Sequence, residues 1–276
     1  MPTSLPSVST FQGRELEALS PELAGPTDKA AFWLQRDIVR GVFQPYERLK
    51  VEQLTKFYKL GHSPIREAIL LLSSTGLVVH EHQKGYRVAP VSVADYLDVL
   101  DAYQAIYQMV LAKSVERGDE DWEERVVVVL HRTMKVRKVM PDGDPVAREL
   151  WQRAYKALHR ELLSGSGSPV LQRIYSNLGD RAERYLNLYA DFEADRERDH
   201  HAEHREIVDA LIARDVDRLH GLIGTFFAGA QPMRDIVVQR LEAIEAQGGP
   251  RRRRAATPVK PTAVKPAAKP KARKRA

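Results

Sequence analysis

Two groups of side chains in this 276-residue sequence have the types and spacing to do chemistry. The first is built around Arg66, in the run Lys59-Leu60-Gly61-His62-Ser63-Pro64-Ile65-Arg66-Glu67-Ala68-Ile69. Ser63 is suited to cap a helix, and Pro64 suits the first helical position. Ile65, Ala68, Ile69 and Leu72 recur at helical spacing, so Arg66 points away from the face they bury. A guanidinium near the start of an exposed helix can pair with a guanine edge or a phosphate. An ordinary capped core helix would show the same local pattern. The second group is His200 and His204, one helical turn apart, with Asp199 and Glu203 beside them. Imidazoles at that spacing can share a metal ion. A solvated polar helix is the plainer reading, because residues 195–205 are almost all charged or His.

Other chemistry is poorly supplied. With no cysteine there is no disulfide, thiolate ligand or Cys nucleophile. No Gly-rich phosphate loop or nucleophile elbow occurs, and Gly165-Ser166-Gly167 reads as a linker between capped helices. These absences argue against an enzyme. No apolar run of about 20 residues occurs, so no membrane span is expected. The N-terminus lacks the basic and apolar regions of a secretory signal, and a cytoplasmic location fits.

The elements around Arg66 decide between its two readings. A helix is expected from a cap at Thr27 or Asp28 to about Arg40, with Ala31, Leu34 and Ile38 inward and Gly41 ending it. Residues 42–49 read as a compact turn with apolar anchors, and a second helix as Val51–Tyr58. The Arg66 helix is then the third, running to about Ser74. After Gly76, two short strands, 77–81 and 86–89, flank a turn at His82-Gln83-Lys84-Gly85. Three helices followed by a hairpin is the order of a winged helix-turn-helix. Lys84 at the hairpin tip and Arg87 behind it can reach phosphates or the minor groove.

Beyond Pro90 only helical patterning remains. Ser92 with Asp95 resembles a capping box. Helices are expected near 92–117, 120–139, 144–164, 168–192, 195–213, 215–230 and 232–246, with cap-plus-Pro starts at Asp144-Pro145 and Ser168-Pro169. The expected architecture is mainly α: a winged helix-turn-helix at 27–90 with a small β-hairpin wing, then an all-α antiparallel bundle at 91–247. Both termini are expected to be disordered: a Pro-rich leader at 1–26 and a basic tail at 248–276.

Charge is divided unevenly. The chain carries 43 Lys and Arg against 37 Asp and Glu. Eleven of the basic residues lie between Arg251 and Arg275, which leaves 32 basic against 37 acidic for residues 1–250. Any basic DNA-facing surface on the folded part must therefore be local. The tail could bind phosphates without sequence preference, so a non-specific architectural DNA-binding protein is the alternative reading.

The segments Gly61-x-Ser63-Pro64-Ile65-Arg66-Glu67-Ala68-Ile69, Gly76-Leu77-Val78 and Gly85-Tyr86-Arg87-Val88-Ala89-Pro90-Val91-Ser92 resemble the GntR transcriptional regulators. The branch is the FadR subfamily, whose effector domain is the helical FCD bundle. His159-Arg160-Glu161-Leu162 and Glu203-His204-Arg205-Glu206 stand where that family has its histidine-bearing helices. The resemblance implies a homodimer that binds a pseudo-palindromic operator on double-stranded DNA, acting as a repressor or activator. It implies DNA contacts from Lys50, His62, Ser63, Arg66, Gln83, Lys84, Gly85 and Arg87. His62 replaces a frequent Arg, and an imidazole cannot imitate a bidentate guanidinium.

In the bundle the resemblance implies a small carboxylate effector and, in many members, a divalent metal held by an Asp and three His. Here those four positions are Tyr155, His159, His204 and Phe226. No metal is expected from that set; His200 could add to His159 and His204, and Asp199 or Glu203 could also contribute. The family's effector-holding Arg is absent from Tyr103–Tyr107, and Arg181 or Arg184 could replace it. Tyr155, His159, Arg181 and His204 are thus the expected effector-binding residues, in a pocket without metal.

Overall fold

The structure, a computed structural model, describes residues 25–138 and 145–247. The leader as far as residue 24, the expected cap at Asp144 and the basic tail lie outside the described residues. The remainder is mainly α, a winged helix-turn-helix followed by a helical bundle.

The first three helices are α1 (Pro26–Val39), α2 (Val51–Tyr58) and α3 (His62–Ser74). Gly25 precedes α1 in extended conformation and Pro26 opens it. Thr27 therefore does not cap α1, and its hydroxyl donates to Glu67 on α3 at 2.8 Å. Ala30, Leu34 and Ile38 are buried along α1 against Ile65, Ala68 and Ile69 of α3. Lys59 takes the left-handed conformation (φ 55) that turns the chain from α2 into α3.

The wing is the antiparallel pair β1 (Val78–Glu81) and β2 (Gly85–Val88), with Val78 opposite Val88 and Glu81 opposite Gly85. Gln83 (φ 61) and Gly85 (φ 81) make the reversal. The expected compact turn at 42–49 also supplies a third edge. Leu49 N–H donates to the Tyr86 carbonyl and Val88 N–H to the Glu47 carbonyl, both at 2.9 Å. The sequence hid this pairing because residues 46–49 lack the alternation that marks a strand.

The bundle comprises α4 (Val93–Arg117), α5 (Glu120–Met134), α6 (Pro145–Ser164), α7 (Pro169–Tyr189), α8 (His200–Ile212), α9 (Val216–Ala228) and α10 (Gln231–Ala246). Ser92, Asp119, Ser168, Asp199 and Asp215 each accept a backbone N–H as N-caps. Three boundaries differ from expectation. Helix α5 stops at Met134, five residues early. Helix α7 ends at Tyr189 and gives way to a 3-10 turn, Phe192–Asp195, capped by Asp191. Helix α8 begins only at His200, because Asp199 caps it. The main core gathers Tyr107, Leu111, Trp122, Leu158, Leu162 and Leu211.

Helix α7 also joins bundle to winged helix. Arg184 is 1% exposed and donates to the Ala89 carbonyl at 3.2 Å and the Pro90 carbonyl at 3.0 Å. Gln35 of α1 donates to Asp180, and Asn187 donates to the Val39 carbonyl at 3.0 Å. Gly41 (φ 74) leaves room for Leu188, whose Cδ2 would lie 2.6 Å from a Cβ there. The Ser92 cap is half of a capping box. Asp95 does not return to the Ser92 N–H; its carboxylate accepts instead from Tyr185 and Arg181, both at 2.6 Å.

Candidate nucleic-acid interface and bundle site

The apolar stripe of α3 turns His62, Ser63, Arg66 and Glu67 outward, and all four are exposed. The helix starts at His62, two residues earlier than expected, with Gly61 at the cap position, so Ser63 is not its cap. The Ser63 hydroxyl donates to Glu67 at 3.0 Å. Pro64 still falls in the first turn, where its missing N–H removes no helical bond. Between α3, the start of α2 and the wing lies a groove of about 410 Å³. Arg48, Lys50, Arg66 and Lys84 converge on it, and Glu52 is the one acid in its lining. A net-acidic folded region thus concentrates four cations at the mouth of its exposed helix.

Arg48, which sequence reasoning missed, donates to the Lys84 carbonyl at 2.7 Å and ties the wing tip to the chain before α2. Gln83, Lys84 and Gly85 are exposed at that tip. Arg87, expected at the DNA, is committed to the wing itself. Its Nε donates to Glu81 at 2.8 Å and its Nη1 to the Tyr46 carbonyl at 3.0 Å.

The second site lies among α4, α6, α8 and α9. Leu158, Leu162 and Leu163 anchor α6, and Ile207, Val208 and Leu211 anchor α8. His159 and His204 are thereby carried inward beside those rows. Their Nε2 atoms lie 3.1 Å apart. His204 Nδ1 sits 2.7 Å from the His200 carbonyl, and His159 Nδ1 lies 3.0 Å from the Tyr107 hydroxyl. A carbonyl only accepts, so His204 carries its proton on Nδ1 and accepts at Nε2. His159 then donates from Nε2 and accepts the Tyr107 hydroxyl at Nδ1. Burial lowers the His159 pKa to about 4; burial, then His159, lowers that of His204 to about 2.

Tyr155 lies against His204, with ring centroids 4.7 Å apart, and Phe226 packs on both imidazoles. Burial, reinforced by Asp199, Glu203 and Asp195, raises the Tyr155 phenol above its usual pKa, so it stays protonated. His200 turns aside and meets Asp195 at 2.6 Å. The structure does not bring Arg181 to this cluster: it pairs with Asp95 and lies over Gly76 at the domain junction. Arg184 is likewise spent on the junction.

Comparison with known proteins matches residues 26–88 to the bacterial regulatory proteins of the gntR family, and residues 96–228 to the FCD domain. The HTH-type transcriptional repressor GlaR of Escherichia coli (strain K12) is 34% identical over 69% of this chain and 87% of its own. The chain belongs to the GntR family. The uncharacterized HTH-type transcriptional regulator BphR of Paraburkholderia xenovorans (strain LB400) is 34% identical over 69% of this chain and 77% of its own. The fold is also that of E. coli McbR/YncC (TM-score 0.58, 16% identity, 82% of this chain and 99% of that one). A GntR regulator from Rhodococcus sp. RHA1 gives 0.55 at 22% identity, covering 75% and 96%. This GntR protein is a DNA-binding transcriptional regulator with an FCD effector domain, not an enzyme. Among the described residues, no helix is long and apolar enough to cross a membrane.

The GntR resemblance implied a metal, and the donors present do not make up its set. Of four ligand positions, two are imidazoles, one is a protonated phenol and one is a phenyl ring. His200, Glu203 and His204 bring ligand atoms within 4.8 Å of one another. Yet His200 is held by Asp195, and Glu203 is held by Arg198 at 2.7 Å. Two nitrogens already bonded to each other are a poor metal site, since metals generally take three or more protein ligands.

Proposed function

We propose that this GntR regulator is a homodimeric repressor that reads a short pseudo-palindromic operator and is controlled by a small molecule bound in its FCD bundle. The observation that carries the DNA reading is the groove where Arg48, Lys50, Arg66 and Lys84 converge beside an exposed helix N-terminus. In this reading Arg66 reads a base edge from the major groove, with His62 and Ser63 beside it. Lys50, Gln83, Lys84 and Gly85 hold the backbone on either side, and Arg87 stiffens the wing. A single winged helix reads one half-site, so a pseudo-palindrome calls for two copies. Repression follows the name of the GlaR relative. Helix α7 carries the bundle's state to the winged helix, because it packs on α4 and grips residues 89–90.

Binding-site selection from genomic fragments with the full chain tests this reading. Enrichment of a symmetric motif whose half-sites lie about one helical turn apart supports it. Uniform binding of all fragments, abolished by removing 251–276, would show that the basic tail is the DNA-binding activity.

A further inference from the structure

The wall of the bundle site holds more unsatisfied polarity than its histidine pair. Trp151 and Tyr155 stand one turn apart on α6, with ring centroids 4.9 Å apart. His201, in the first turn of α8, is nearly parallel to Tyr155 at 6.2 Å and 11°. His200 closes against Trp151 at 5.5 Å. Among the described residues, Trp151 Nε1, the Tyr155 hydroxyl and His201 Nε2 are buried and find no hydrogen-bond partner, and Tyr155 is only 7% exposed. Each such atom carries an uncompensated desolvation cost unless something else satisfies it. Three in one aromatic cluster fit a bound partner that offers acceptor atoms.

The chemistry of that partner follows from what surrounds the three atoms. An indole N–H only donates, and a protonated phenol donates first. The ligand must therefore offer acceptors. The neighbouring cations are committed, Arg148 one turn before Trp151 included. Lys138 bonds Asp195 and the carbonyls of Arg196 and Arg198. Arg198 is held by Glu203 and the Phe226 carbonyl, and lies over the Phe226 ring at 4.8 Å. The charged groups facing Tyr155 are Asp199, Glu203 and Asp195, all acidic. Asp195 and Glu203 are already paired, so a bare carboxylate would enter without a free countercharge and beside the Asp199 carboxylate.

We infer that the bundle takes an uncharged, planar aromatic ligand bearing a carbonyl or hydroxyl oxygen, seated against Trp151, Tyr155 and His201 without a metal. This inference rests on the reading of the bundle as the effector site. It replaces the small carboxylate that the family resemblance implied. The ring of the ligand packs on Trp151 and Tyr155, and its oxygen accepts from their donors. His159 and His204, with their tautomers set by Tyr107 and the His200 carbonyl, form a fixed polar floor behind it.

The test uses the full chain, ¹⁵N-labelled, with the Trp151 indole N–H as reporter. The chain has three tryptophans, and Trp151→Phe identifies the resonance. The probes are benzamide- and phenol-type fragments, benzoate-type acids, benzylamine-type amines and zinc chloride. Uncharged fragments should move the Trp151 resonance most. Tyr155→Phe should weaken the tightest of them about fivefold to tenfold, the loss of one hydrogen bond. Unchanged melting of the variant shows that the fold survives. If acids, amines or zinc move the resonance more strongly, the ligand class is overturned while the bundle remains the effector site. If no probe of any class moves it, the site itself is overturned, and with it the effector reading of the bundle.

Discussion

His159 and His204 meet nitrogen to nitrogen at 3.1 Å inside the bundle, and only one arrangement of protons lets every neighbour bond. Both rings are neutral; protonating His204 would leave two donors facing each other, and protonating His159 would turn the Tyr107 hydroxyl from donor to acceptor. Their folded-state pKa values, about 4 and about 2, lie below the ordinary 6.5. The unfolded chain therefore takes up protons first as pH falls below 6.5. Stability from this pair is fully present above pH 6.5 and is lost as pH falls from 6.5 through 4 toward 2. For His159 alone the loss is on the order of 2–3 kcal/mol by pH 4. Melting curves of the wild type and His159→Gln from pH 7.5 to 4 check this. The variant should be less stable at neutral pH and should lose less on acidification.

Arg66 is the exposed guanidinium of α3 in the groove. Arg66→Ala should cost about 1–3 kcal/mol on the preferred operator and little on scrambled DNA, if it reads a base. Fluorescence anisotropy on the two duplexes measures the difference. Equal losses on both would reassign Arg66 to a phosphate.

Lys84 and Arg48 should behave differently, although both are basic. Lys84→Ala removes one exposed cation at the wing tip and should reduce the slope of log K against log salt by about 1. Arg48→Ala also frees the Lys84 carbonyl it holds at 2.7 Å. It should lower specific affinity further and raise amide hydrogen exchange across residues 82–86.

Arg184 is buried beneath the junction, and its two donations satisfy the carbonyls of Ala89 and Pro90. Arg184→Ala removes both bonds and leaves a cavity, so it should destabilise the chain by about 3 kcal/mol or more. Thermal melts measure the loss, and limited proteolysis near residue 90 should show the junction opening first.

The winged helix was largely legible in advance because its signals are local. Pro64, Gly76, Gly85 and the row from Ile65 to Leu72 each act over a few residues, and their order along the chain names the fold. The misplaced features are those whose cause is distant. Ser63 looks like a cap, but the chain enters α3 through Gly61 and leaves Ser63 to bond Glu67. Arg87 has partners no local pattern shows: Glu81 across the hairpin and Tyr46 on the added edge. Arg48 gives no local signal at all, since its partner is a backbone carbonyl 36 residues away.

The same division runs through the bundle. Helical spacing and caps were enough to set out seven helices, and the replacement of two ligand positions by Tyr155 and Phe226 was plain from residue identity. Spacing could not say which polar side chains end up unpaired, because pairing depends on how four helices rotate against one another. That rotation put His159 against His204, sent Arg181 to Asp95, and left polar atoms of Trp151, Tyr155 and His201 buried without hydrogen-bond partners among the described residues. Local chemistry in the sequence established which elements form and where the reading helix lies. Long-range packing settled which charges stay exposed and which polar groups are buried.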